Sequence, residues 1–252
     1  MVSRSMHTLA VVAVVLAVTA CASGPGPSPS PVSPPTTSPA ALTASEAPQI
    51  TIGSPTSDAT VSVPFTVSGE ANTFEAALTV EAVDESGMVA CVRHLMATSG
   101  SGTPGTWEAT LAFGPEEDAL PVMLRAYAHS AKDGTVVGLV EFPIAVSPER
   151  PPIILTSPAC GQVYEVGSLI LVTGTANLFE AALTVDVRDA SGTTVATLQV
   201  TADECCVESN FSSRLTLPAD IPPGLYDVVA YSLSAKDGSV ENEFPVQIEV
   251  RG

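Results

Sequence analysis

Ala71-Asn72-Thr73-Phe74-Glu75-Ala76-Ala77-Leu78-Thr79-Val80 returns further along the chain as Ala176-Asn177-Leu178-Phe179-Glu180-Ala181-Ala182-Leu183-Thr184-Val185. Extended to Gly87 and Gly192, the two stretches agree at 12 of 17 positions without a gap. Downstream, Ser130-Ala131-Lys132-Asp133-Gly134 returns as Ser234-Ala235-Lys236-Asp237-Gly238, and Glu141-Phe142-Pro143 as Glu243-Phe244-Pro245. Upstream, Ser54-Pro55 returns as Ser157-Pro158. The spacing of about 104 residues is that of a domain, too long for a solenoid unit. The pattern implies two tandem domains, 49–148 and 151–252, joined by the stiff Ser147-Pro148-Glu149-Arg150-Pro151-Pro152 segment.

Within each copy apolar residues alternate. Phe74, Ala76, Leu78 and Val80 are expected on one face, with Glu75, Thr79 and Glu81 on the other, and the run from Phe179 repeats this. Glu85-Ser86-Gly87, Gly100-Ser101-Gly102 and Lys132-Asp133-Gly134 read as turns, and no long segment has helical period. Seven strands are expected in the first copy, near 49–53, 60–69, 73–83, 88–97, 106–113, 121–130 and 135–146. The predicted fold class is all-β, two tandem immunoglobulin-like antiparallel sandwiches. Pro143 and Pro245 fall within the last strand, where a missing N–H is tolerated at an edge or bulge.

Ahead of the repeats, Arg4 is followed by an uncharged run, Thr8 to Ala20, too short to span a bilayer but suited to export. It ends in Val18-Thr19-Ala20-Cys21, which resembles the lipobox of bacterial lipoproteins; an ordinary signal peptide and an uncleaved anchor are the alternatives. On the lipobox reading 1–20 is a signal peptide, and Cys21 carries acyl chains that hold the protein on the extracytoplasmic side of the cell membrane. The following segment, through residue 48, has eight prolines between Gly24 and Pro48 and one charge, Glu46. Such a tether builds no core and is expected to be disordered, with a contour of roughly 80 Å at about 3.1 Å per residue.

Composition narrows function. Nine basic against 27 acidic residues give a formal charge of −18, and loss of Arg4 with the leader takes this to −19. A nucleic-acid partner is excluded, since binding requires a basic surface. The exported part carries only His94, His129, Lys132, Lys236 and Trp107 among the scarcer catalytic side-chain types. No Gly-x-Ser-x-Gly, paired metal-binding His or Cys-x-x-Cys is present, so no catalytic residue, cofactor or metal is expected. Asp84, Asp133 and their counterparts are not spaced as calcium ligands.

Each copy has one lysine, in the loop before its last strand. Strand counting brings that loop to the same end as the Phe-Glu-Ala turn. The expected rim is therefore Asn72, Glu75, Ser130, Lys132 and Asp133 in the first copy, and Asn177, Glu180, Ser234, Lys236 and Asp237 in the second. Ion pairs Glu75–Lys132 and Glu180–Lys236 are expected, with Asp133 and Asp237 closing their turns. Turn chemistry alone accounts for Asp-Gly; the functional reading is a partner-contacting rim. Cys91, Cys160, Cys205 and Cys206 allow three complete pairings. Strand counting sets Cys160 at the opposite end from Cys205 and Cys206, which disfavours Cys160–Cys205. An adjacent Cys205–Cys206 bond and free buried thiols are the alternatives.

Phe-Glu-Ala after Ser68-Gly69 or Thr173-Gly174, with Ser-Ala-Lys-Asp-Gly about 55 residues later, resembles the immunoglobulin-like domain of bacterial spore germination proteins. The resemblance covers both copies and implies an exported lipoprotein engaged in extracellular interactions, with no catalytic residues. That family often stands beside a GerM-type domain; this chain has two copies and no GerM-like segment. The expected function is a binding module for a protein or envelope component. The alternatives are a passive spacer, or a carbohydrate-binding module using Trp107, Tyr127 and Tyr231, with Trp107, matched by Phe211, read as core.

Overall fold

The computed structural model describes residues 49–252, which belong to one compact unit. The leader, Cys21 and the Pro-rich segment lie outside the described residues. The first sandwich contains β1 (Gln49–Ser54), β2 (Thr60–Val61), β3 (Phe65–Asn72), β4 (Ala77–Asp84), β5 (Val89–Met96), β6 (Gly105–Leu111), β7 (Leu120–His129) and β8 (Val136–Val146). Its sheets run β1-β3-β6 and β2-β8-β7-β4-β5. The second repeats this with β9 (Ile153–Ser157), β10 (Gln162–Glu165), β11 (Leu169–Ala176), β12 (Ala182–Arg188), β13 (Thr194–Thr201), β14 (Ser209–Thr216), β15 (Gly224–Leu233) and β16 (Val240–Arg251). Its sheets run β9-β11-β14 and β10-β16-β15-β12-β13. Among the described residues no helix is long and apolar enough to cross a membrane.

Each sandwich encloses its own core. Phe65, Val67, Trp107 and Leu111 of the smaller sheet meet Leu78, Val80, Leu124 and Ala126 of the larger one. In the second domain Val172, Phe211 and Leu215 meet Val185, Val228 and Phe244. Trp107 and Phe211 are both buried, as the repeat implies. Each lies over a glycine. A side chain at Gly69 would meet the Thr51 carbonyl and the Trp107 ring; one at Gly174 would meet the Ile154 carbonyl and the Phe211 ring.

Three expectations are corrected. The strand expected over 60–69 is two strands in different sheets, broken around Pro64, which has no N–H to give; β2 then runs parallel to β8. The strand expected from residue 73 starts at Ala77, after a 3-10 turn over Phe74–Ala76 in which Glu75 and Ala76 have φ of 53° and 60°. That turn resets the alternation, so Phe74 is 57% exposed and its counterpart Phe179 is 78% exposed. The Glu-Phe-Pro motifs, aligned by sequence, are not equivalent in space. Ala126 pairs with Val140 and its equivalent Ala230 with Phe244, a two-residue slide between the copies. A slide of two preserves which face each residue occupies, so hydrophobicity does not oppose it. Pro143 and Pro245 lie on stretches of β8 and β16 that no further strand covers.

Gly174→Ala should lower the stability of the second domain by about 1–3 kcal/mol, because the collision is with backbone and a buried ring. Urea unfolding at equilibrium checks this, with Gly53→Ala, whose added carbon would meet only the Ser68 carbonyl at an ordinary 3.8 Å, as the control for glycine replacement.

Candidate functional site

β5 is an edge strand of the first domain, with backbone groups that an unprotected sheet leaves open. The second domain occupies that edge. Cys91 on β5 is disulfide-bonded to Cys160 in the β9–β10 loop, 69 residues away. The His94 N–H donates to Gln247 Oε1 at 2.7 Å, and Gln247 Nε2 donates to the His94 carbonyl at 3.0 Å. A side-chain amide thus stands in for a neighbouring strand. Between these contacts Arg93 Nη2 donates to both carboxylate oxygens of Asp227, at 2.6 and 2.8 Å. At the connector, Arg150 pairs with Glu208 and Ser62 donates to Glu149.

Beside this junction lies a groove of about 880 Å³ with walls from both domains. Phe74, Leu95 and Met96 line one wall and Leu225 and Tyr226 the other, with Arg93, Asp227 and Gln247 at the junction. Met96 is 70% exposed. Phe74 and Met96 thus present two large apolar side chains to solvent at one groove.

Of the expected rim, Glu75 and Ser130 reach this groove. Asn72 instead accepts from the Gly102 N–H at 2.8 Å, holding the β5–β6 loop. Asp133 accepts from the Thr135 N–H and hydroxyl, and Asp237 likewise from Ser239, closing both turns. Ser130 accepts from the Lys132 N–H, and the Ser234 carbonyl accepts from Gly238. Asn177 and Glu180 line a smaller groove of about 470 Å³ beside Phe179 and Leu233.

The expected Glu75–Lys132 and Glu180–Lys236 ion pairs do not form; among the described residues every ion pair is made by arginine. The Phe-Glu-Ala turn is tied instead to the β5–β6 loop, with the Glu75 N–H donating to Ser101 Oγ and the Ser101 N–H to the Thr73 carbonyl. Both charges stay in water, where pairing gains only about 0–1 kcal/mol. Free buried thiols are corrected as well: Cys205 and Cys206 are free but exposed.

Asp84 and Asp189 serve as turn acceptors, their pKa values lowered first by the hydroxyls of Ser86 and Ser191. No cluster of three or more His, Cys, Asp or Glu able to hold a metal occurs among the described residues. Of the aromatic residues considered for sugars, Trp107 is buried, Tyr231 lies under the Arg188 guanidinium at 5.1 Å, and the half-buried Tyr127 donates to Glu81 and meets the His129 ring edge-on.

Two sandwiches of one topology, joined along an edge strand, define a tandem immunoglobulin-like protein. The family described as the immunoglobulin-like domain of bacterial spore germination matches residues 49–135 and again 153–239, together more than half of the chain, and the chain belongs to that family. Solved structures similar to it include the fibronectin(III)-like modules of Clostridium thermocellum CbhA, 15% identical, covering 81% of this chain and 94% of that one with a TM-score of 0.26. The ICAM-5 D1–D4 ectodomain fragment is 14% identical, covering 82% and 54%, with a TM-score of 0.29. The BSP domain of a biofilm associated protein is 17% identical over 79% of this chain, which spans 29% of that one, with a TM-score of 0.24. No curated protein matches the chain.

The junction residues were missed by sequence reasoning, yet they carry a signal: they break the repeat. By strand register Cys91, Arg93 and His94 stand where the second copy has Ala196, Leu198 and Gln199. Asp227 and Gln247 stand where the first has Met123 and Pro143.

His94 Nδ1 lies 3.0 Å from Thr79 Oγ1. Partial desolvation holds its pKa below the ordinary 6.5, aided by His129 and opposed by Glu249 and Glu81. Its neutral form is favoured in the folded chain, so its contribution to stability is complete above 6.5 and is lost as the pH falls from there toward the lower folded value. Unfolding free energies of wild type and His94→Asn should therefore diverge between about pH 7.5 and about pH 5, wild type losing more. A difference that stays constant with pH would refute this.

Proposed function

We propose that this protein is an envelope lipoprotein, held by lipid on Cys21 at the extracytoplasmic face of the membrane, whose paired domains act as one rigid binding module for a protein or envelope component. Three features of the sequence support the anchoring: an uncharged export segment, small residues before Cys21, and a Pro-rich spacer after it. Family membership supports a role connected with spore germination.

The binding reading rests on the groove between the domains. It exposes Phe74 and Met96, which neither core needs, and the Cys91–Cys160 bridge, the Arg93–Asp227 pair and the Gln247 amide hold its two walls together. A preorganised groove binds without first having to order its walls. The charge of −18 favours a neutral or cationic partner surface.

Two measurements test the proposal separately. Growth with labelled palmitate should label the wild type and leave Cys21→Ser unlabelled and released from the membrane fraction; equal membrane retention of the variant refutes the anchor. Immobilised 49–252 should retain an envelope component that Phe74→Ser/Met96→Ser loses by about tenfold or more, the scale of removing central apolar contacts. Equal retention by the variant refutes the groove, and no retention from envelope extracts or glycan panels favours a spacer.

A further inference from the structure

The β13–β14 loop of the second domain is built on the backbone of the β5–β6 loop of the first. The Ser101 N–H donates to the Thr73 carbonyl at 2.8 Å, and the Cys206 N–H to the equivalent Leu178 carbonyl at 2.9 Å. Ala97 donates to Ala76 as Ala202 donates to Ala181, both at 2.8 Å. Ser101 and Cys206 share a left-handed backbone, with φ of 54° and 66°. Gly100-Ser101 in one loop therefore occupies the place of Cys205-Cys206 in the other. The first copy makes the turn without sulfur, so the turn does not account for the thiols.

Their surroundings suit chemistry. Both cysteines are exposed, and their sulfurs lie 3.1 Å apart. Cys206 Sγ also lies 3.3 Å from the carbonyl oxygen of Phe179, the exposed aromatic of the smaller groove. In the same chain Cys91 and Cys160 are already bridged. Among the described residues, conditions that keep that bridge leave this pair as the thiols open to exchange.

We propose that Cys205 and Cys206 form a redox-active vicinal dithiol that exchanges with small-molecule disulfides, closes to a Cys205–Cys206 disulfide and releases the Phe179 turn. Cys206 Sγ is the donor toward Cys205 Sγ, a contact that raises the Cys206 pKa, and the acceptor Cys205 is assigned as the attacking sulfur. The Cys205 thiolate bonds to one sulfur of a disulfide RSSR and expels RS⁻. Cys206 then gives its proton to solvent and attacks the Cys205 sulfur of the mixed disulfide, expelling the second RS⁻. Two protein thiols are oxidised and one disulfide is reduced to two thiols. The closed ring has no S–H to offer the Phe179 carbonyl. Adjacent Cα atoms are about 3.8 Å apart, nearer than the about 4.4–6.8 Å that bridges usually span, so the ring reopens readily.

The test uses the mature full-length protein treated with hydroxyethyl disulfide, alkylated with N-ethylmaleimide and digested without reductant for mass spectrometry. The peptide holding both cysteines should be lighter by two hydrogens and unalkylated, and the protein should stay monomeric. Dithiothreitol should reopen the ring at a concentration about tenfold or more below that needed for Cys91–Cys160. Cys206→Ser, which restores the residue used at 101, should instead accumulate a stable mixed disulfide on Cys205. Amide hydrogen exchange across 176–184 should be faster in the closed form. Stable mixed adducts on the wild type, or disulfide-linked dimers, would overturn the proposal; unchanged exchange across 176–184 would overturn its link to Phe179.

Discussion

Occupation of the β5 edge by the second domain is the constraint on which the rest of the molecule depends. An edge strand presents alternating N–H and C=O groups, and leaving them unpaired at an interface costs about 1–3 kcal/mol each. Gln247 satisfies both groups of His94 with one amide, while the disulfide fixes the approach and Arg93–Asp227 sets the orientation. In the chain-entropy account, closing a loop of this length stabilises by about 4 kcal/mol. The groove follows from this docking, since its second wall exists only because β15 and β16 are held against β5.

The duplicated loops show how one backbone serves two chemistries. In both copies a left-handed turn lifts a phenylalanine out of the core and ties it to the loop across the sheet. In the first copy that phenylalanine lines the groove whose other wall the second domain supplies. In the second it stands in a smaller one, with Cys206 against its carbonyl. What differs is the neighbour, supplied once by docking and once by substitution.

Much of the architecture was legible in the residues because its determinants are local. Period-two alternation, Asp-Gly turns and a repeat of domain length lead directly to two sandwiches. Local patterns fail where a backbone detail changes phase, as at Glu75 and Ala76, which turned Phe74 outward. They also fail where alternatives share a face, as in the two-residue slide of Glu-Phe-Pro. Of the rim expected in the first copy, Glu75 and Ser130 line the groove, while its ion pairs required geometry that water-exposed side chains have no reason to adopt. The junction lies in the differences between the copies rather than in their likeness.

A duplicated domain that docks on its twin carries a hazard, because every added unit could in principle offer the next one the same seat and the contact would grow without end. Here the seat is single. β13 is the edge that corresponds to β5, but with Ala196, Leu198 and Gln199 it has neither the sulfur nor the guanidinium that received the second sandwich. The first sandwich in turn offers Ser57 and Pro143 where its twin offers Cys160 and Gln247. The seat that receives the second sandwich is therefore not repeated on that sandwich's own edge, and the duplication of the fold does not duplicate the joint.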